Sequence, residues 1–375
     1  MKKVVILVSV ILAVVSCGKK TAKLFPAEDF EGTVGGQAVA LYTLKAGDIA
    51  MQVTNFGARV VSLYTPDRKG NMADIVCGHA TLDEYVNPVG ERFLGACVGP
   101  VANRIANARF YVNDTLYQIP ANDNKVNTLH GGLLGLDNVV WTVKESTPSS
   151  ITLTYLRPDG QEGYPGNLDI EMKYSLTEDN SFRVDYKAVT DKATPVNMSN
   201  HPFFNLRGEG TEQILDYVMT VDADRIVAID EMSIPTGELM DVTGTPFDFR
   251  EPHTIGERID MRDNEQIKNG NGYDHSWCLT GKEPVHEACS VWDPKSGRCV
   301  TVLTDQPAIQ IYSGNFFDGK TTGKYGEPLN FRTSIALETQ HYPDSVNQPS
   351  FPSIILNPGD TYTQVCIYKF SVKEK

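Results

Sequence analysis

Along residues 168–176 apolar and polar side chains alternate, with Leu168, Ile170, Met172, Tyr174 and Leu176 set against Asp169, Glu171, Lys173 and Ser175. Phe182, Val184, Tyr186 and Ala188 repeat the pattern after the polar triplet Glu178-Asp179-Asn180. A period of two sends successive side chains to opposite faces, so this stretch predicts two half-buried strands joined as an antiparallel hairpin. Similar runs occupy residues 38–44, 49–55, 60–64, 151–155, 218–222, 300–304, 309–312, 334–338 and 363–372. Turn-forming clusters at 66–70, 158–160 and 357–360 separate them. The best candidate for a helical period is the short stretch 81–86, about two turns at most. The chain therefore reads as all-β, and so many antiparallel strands predict a large sandwich of paired sheets with closed or covered edges. No composition break, low-complexity linker or internal repeat divides residues 31–375, which read as a single domain.

The N-terminus follows a different pattern. Lys2 and Lys3 precede an apolar run over residues 4–15, which ends at Ser16-Cys17. That run is too short for the roughly 20 residues a membrane-spanning helix needs, and it predicts a cleaved signal peptide over residues 1–16. Its ending resembles the lipobox of bacterial lipoproteins, so Cys17 is expected to carry lipid and residues 17–30 to form a tether. The only expected membrane association is this anchor. Gly18 lacks the acidic character that retains some lipoproteins at the inner membrane, and the expectation is therefore an outer-membrane attachment.

Composition narrows the remaining classes. Of 375 residues, 41% are hydrophobic and 22% charged, which fits a folded chain rather than a disordered one. A formal net charge of −13 repels nucleic-acid phosphates, so a nucleic-acid partner is not expected. Cys77, Cys97, Cys278 and Cys366 sit in apolar strand-like runs and read as buried thiols. A hairpin bridge between Cys289 and Cys299 is the alternative for those two. Without a C-x-x-C pair, zinc ribbons and redox couples have no support.

The polar groups that stand out lie within apolar or glycine-rich surroundings. His130 is followed by Gly131 and Gly132, where a backbone free of side chains can approach a ligand closely. His201 lies between Asn200 and Pro202, with Met198, Phe203, Phe204 and Leu206 nearby. Burial lowers an imidazole's pKa and a carboxylate neighbour raises it, so such a site suits proton transfer. Alternation places Asp274 and His275 on opposite faces, and it puts Glu338 with Gln340 rather than with His341. The same parity divides these groups against a shared metal site, and no H-x-H or H-x-x-x-H spacing is present. No nucleophile elbow, Walker loop or dinucleotide fingerprint occurs. Trp141, Trp277 and Tyr164 are candidates for stacking on sugar rings.

Seven segments in order complete the pattern: Asn55-Phe56-Gly57-Ala58, Ala102-Asn103-Arg104-Ile105, Leu129-His130-Gly131-Gly132, 159–166, Asn200-His201, Tyr273-Asp274-His275 and 338–349. Together they resemble the aldose 1-epimerase, or galactose mutarotase, family over about residues 31–372. The resemblance implies a β-supersandwich and interconversion of the α and β anomers of free aldoses without metal or cofactor. It implies Glu338 as general base, His201 as general acid and His130 as a supporting group at the ring oxygen. Arg104, Asn103, Asp274 and Gln310 would hold sugar hydroxyls. Pro100 departs from the family pattern, in which many members carry arginine, so the rim charge at that position is missing. Two other readings use the same residues: a glycoside hydrolase with Asp274 and Glu338 as its carboxylate pair, and a lipid-anchored sugar-binding protein without catalysis.

Overall fold

The expected hairpin forms as Leu168–Leu176 and Ser181–Thr190, paired antiparallel from Leu168 opposite Thr190 to Leu176 opposite Phe182. The computed structural model describes residues 21–374, so the signal peptide and Cys17 lie outside the described residues. The hairpin belongs to a nine-stranded sheet that also contains Tyr362–Val372, Arg298–Thr304 and His286–Trp292. One face of it is apolar, and Leu168, Ile170, Met172, Tyr174, Phe182, Val184 and Tyr368 are buried there.

A six-stranded sheet runs in the order Phe203–Phe204, Ile335–Gln340, Ala308–Tyr312, Asp274–Leu279, Ala223–Ile229 and Pro235–Asp241. Its central strands are buried on both faces, and Ile335–Gln340 and Ala308–Tyr312 are buried at every position. One face meets the nine-stranded sheet, where Tyr368 donates its hydroxyl to the Leu337 carbonyl at 2.8 Å. The opposite face is free to carry chemistry. A four-stranded sheet of Leu41–Ala46, Ile49–Thr54, Arg59–Pro66 and Met72–Asp74 completes the main framework. All of these strand ladders are antiparallel, as the alternation predicts.

Two sequence expectations change, and one open choice is resolved. The run 38–44 is interrupted at Ala40, giving Gln37–Val39 and Leu41–Ala46 as separate strands. The packed body reaches back into the expected tether: Phe30 is fully buried, and Phe25 exchanges backbone hydrogen bonds with the Gln52 side chain at 2.9 Å each way. Cys289 and Cys299 are buried free thiols, not a bridge, because the ladder sets Cys289 opposite Val302 and Cys299 opposite Trp292. The short helix materialises as Leu82–Val86, started by a capping box in which Thr81 and Glu84 each satisfy the other's backbone N–H.

Candidate active site

Register across the six-stranded sheet assembles the polar side of the site. Gln310 stands opposite Glu338, and Asp274 opposite Tyr312. Directly opposed residues of an antiparallel pair share a face, so Asp274, Tyr312, Gln310 and Glu338 all project away from the nine-stranded sheet. His275 takes the other face, fully buried, with its ring 4.6 Å from that of Phe247. His341 also leaves the site and pairs with Gln306 at 2.9 Å. The parity read from the sequence holds at both positions.

The histidines come from elsewhere in the chain. His201 ends the strand Ser199–His201, which pairs with Ala96–Val98 and places His201 opposite Ala96. His130 follows Thr128–Leu129, a two-residue strand laid against Arg104–Ile105. The chain turns at once through left-handed conformations at His130, Gly131 and Gly132. Gly131 is required there because a Cβ would lie 2.0 Å from the Gly99 carbonyl oxygen.

These segments enclose a cavity of about 120 Å³. Six predicted residues line it: Asn103, Arg104, His130, His201, Asp274 and Glu338. Gln310 stands behind the lining and donates Nε2 to Asp274 Oδ1 at 2.7 Å. It thus orients a wall residue rather than forming the wall. Glu91, Phe93, Leu129, Phe203, Tyr312 and Phe316 complete the lining, and none of them is among the site residues expected from the sequence. Trp141, Trp277 and Tyr164 are all fully buried in the core, and the aromatic walls are Phe93, Phe203, Tyr312 and Phe316 instead.

At the cavity floor His201 Nε2 lies 3.2 Å from Glu338 Oε1, with the two side chains only 5% and 2% exposed. Burial pushes the Glu338 carboxyl well above the usual carboxylate range, Asp274 and Glu91 add to the rise, and Arg104 opposes it. Burial lowers the His201 imidazole to about 4. Both shifts penalise charge. A neutral acid with a neutral imidazole, and a carboxylate with an imidazolium, contain the same single proton, so the two residues titrate as one unit. Glu338 Oε2 has no hydrogen-bond partner among the described residues and stands free for a substrate hydroxyl.

The His130 ring packs edge-on to that of His201, 5.2 Å between centroids. Its Nδ1 accepts the Asn103 backbone N–H at 3.1 Å, which assigns the proton of the neutral ring to Nε2. Burial holds this imidazole well below its ordinary pKa, and nearby positive charge at His201, Arg104 and Arg92 adds to that. His130 is therefore a neutral hydrogen-bond donor. Donor atoms of His130, His201 and Glu338 all lie within 4.8 Å of one another, a set that sequence spacing could not show.

Arg104 donates Nε to Asp123 Oδ2 at 2.9 Å. Asp123 lies in a turn that carries no motif, and the contact identifies it as the group that aims Arg104. Asp123→Asn is expected to raise KM for aldoses about tenfold with a smaller change in kcat, since about 1.4 kcal/mol of substrate positioning is lost. Initial-rate kinetics check this, and an unchanged KM would contradict it. At the rim, Arg92 forms a two-point contact with Asp137 at 2.6 and 2.9 Å. A cation therefore stands near the site although position 100 is proline.

The pocket joins a buried carboxylate to an imidazole, whereas Asp274 is engaged by Gln310. Such a buried carboxylate–imidazole pair on a large antiparallel β-scaffold is suited to acid–base chemistry. The aldose 1-epimerase family model matches residues 40–369, and the chain belongs to that family. It is 39% identical to galactose mutarotase from Pongo abelii, covering 90% of this chain and 96% of that protein. It is 36% identical to aldose 1-epimerase from Escherichia coli K12, covering 89% and 96%. The solved structure of a Caenorhabditis elegans GalM/aldose epimerase homologue superimposes with a TM-score of 0.83 at 28% identity, covering 90% of this chain and all of that one.

Proposed function

We propose that Glu338 and His201 are the base and acid with which this aldose 1-epimerase interconverts the α and β anomers of free aldohexoses such as galactose and glucose. The observation that carries the assignment is the buried pair itself, 3.2 Å apart in a cavity lined by polar and aromatic side chains. The anomeric hydroxyl oxygen and the ring oxygen share one carbon, so a single close acid–base pair serves both. Glu338 accepts the proton of the anomeric hydroxyl while His201 delivers one to the ring oxygen. The bond from the anomeric carbon to the ring oxygen breaks, and the hydroxyl oxygen becomes an aldehyde. Half a turn about the C1–C2 bond presents the other carbonyl face. Ring closure then runs the transfers in reverse, with former acid as base, and both residues return to their starting states. His130 donates from Nε2 toward the ring oxygen, and Arg104, Asn103 and Asp274 bind hydroxyls.

A pH profile tests the pairing. The active form holds one proton between the two residues, so kcat/KM falls on the acid side when a second proton binds and on the alkaline side when the shared proton leaves. Burial opposes both changes: it lowers His201 to about 4 and raises Glu338. The expected profile is flat from about pH 5 through neutrality, with its acid limb near the value of His201. An acid limb centred near the ordinary histidine value, about 6.5, would contradict a pair buried in this way.

Lipid attachment at Cys17 would set the enzyme to work outside the cytoplasm, on sugars released there by hydrolases. The short apolar run ending in Ser16-Cys17 supports this reading. Metabolic labelling with a fatty acid, followed by membrane fractionation, is expected to give a labelled membrane-bound protein that Cys17→Ser abolishes. Unlabelled wild-type protein in the cytosol would overturn the anchor.

A further inference from the structure

The cavity holds a third carboxylate that the family motifs leave unassigned. Glu91 lies in the loop between the helix Leu82–Val86 and the strand Ala96–Val98, and it lines the cavity beside Phe93, Tyr312 and Phe316. Both its backbone and its side chain are fixed. The Glu91 N–H donates to Thr321 Oγ1 at 2.8 Å, and Glu91 Oε1 accepts the Phe93 N–H at 2.8 Å. Glutamate is ordinarily left in water, so a glutamate pinned at two points into a cavity wall is a built feature. The wall now carries Glu91, Asp274 and Glu338, while its lining arginine, Arg104, is already engaged by Asp123.

We propose that Glu91 is a specificity-determining residue, whose carboxyl group accepts a hydrogen bond from a hydroxyl of the bound aldose and turns away aldoses that bear an anionic substituent, such as uronates and sugar phosphates. The proposal rests on the aldose reading of this site. A neutral sugar hydroxyl donates to a carboxylate, and the bond gains strength from the charge. A second anion in the same semi-enclosed space meets repulsion worth about tenfold or more in affinity. Free sugars therefore enter, and their anionic derivatives are disfavoured.

A second consequence follows from position. The charged and titratable groups around Glu338 are His201 from the strand Ser199–His201, His130 from the turn after Thr128–Leu129, Asp274 from its own sheet, Arg104 from the strand Arg104–Ile105, Tyr368 from the nine-stranded sheet, and Glu91 from the loop before Ala96–Val98. Removing the charge of Glu91 removes one of the negative neighbours that raise the Glu338 carboxyl.

Glu91→Gln tests the proposal, since the amide oxygen can still accept the Phe93 N–H. Anomerisation of α-D-galactose and of α-D-galacturonate is followed by proton NMR across pH for wild type, Glu91→Gln and Glu338→Gln. The ratio of kcat/KM for galactose over galacturonate is expected to fall about tenfold in Glu91→Gln, and the alkaline limb of the galactose profile is expected to move to lower pH. A loop merely disturbed by the substitution would slow both sugars alike. An unchanged ratio with the alkaline limb in place, in a set where Glu338→Gln is inactive, overturns the role of Glu91 alone. Wild-type protein that accelerates the anomerisation of neither sugar overturns the aldose reading and this proposal together.

Discussion

Replacing Glu338 by glutamine is expected to lower kcat for galactose by about 10²- to 10⁴-fold, or roughly 3–5 kcal/mol of barrier, with the fold unchanged. The substitution keeps side-chain shape and takes away the proton acceptor. Because Glu338 is 2% exposed and burial already disfavours its charge, a neutral amide adds no new unpaired charge to the interior. Circular dichroism and the thermal melt should match wild type, so lost activity would report chemistry. His201→Asn is expected to cost a similar factor. Since the two residues share one proton, the double variant should lose little more than the worse of the singles. A wild-type rate in either single variant would remove that residue from the chemistry.

The largest expected effect on stability lies away from the catalytic pair. Lys324, with its side chain fully buried, donates to the carbonyls of Val61 and Val76 at 2.6 and 2.8 Å. It also pairs with Asp74 at 2.7 Å and Glu209 at 3.2 Å. Lys324→Met keeps the aliphatic bulk but leaves two buried carboxylates and two carbonyls without their cation. Breaking a buried pair by removing one partner costs about 3–5 kcal/mol, which denaturant unfolding would register as a lower midpoint. Adding Glu209→Gln and Asp74→Asn should recover part of the loss, because the uncompensated charges then disappear. A Lys324→Met midpoint equal to wild type would show that this cluster does not bind the four-stranded sheet to the loops at 205–212 and 313–333.

The all-β architecture was legible because burial on one face writes itself as alternation, most clearly in the nine-residue strand Leu168–Leu176. Parity was legible for the same reason, and it separated Asp274 from His275 and Glu338 from His341. Strands buried on both faces carry less information. Ile335–Gln340 is buried at every position, so its pattern could not say which face meets the core. Residues that depend on loop placement were invisible. Glu91 and Asp123 sit in polar loops whose composition matches any solvated turn, and only the fold carries one to the cavity and the other to Arg104. Lys324, between Gly323 and Tyr325, reads as an exposed turn residue, and the structure buries it because Asp74 and Glu209 arrive from distant segments. Trp141 and Trp277 were open to sugar stacking or to core packing, and the fold decides for the core: each has a buried partner for its indole N–H, Trp141 at the Leu136 carbonyl and Trp277 at the Phe247 carbonyl, both at 3.1 Å.

The most direct measurement is polarimetry of freshly dissolved α-D-galactose with the purified chain, alongside the uncatalysed control and Glu338→Gln. A catalysed drift to the same final rotation as the control, absent in Glu338→Gln, is the predicted result, because an epimerase changes the rate and leaves the anomeric equilibrium where it was. A wild-type trace that follows the uncatalysed control, with α-D-glucose as well as with α-D-galactose, would contradict the assignment of Glu338 and His201 as an anomerising pair.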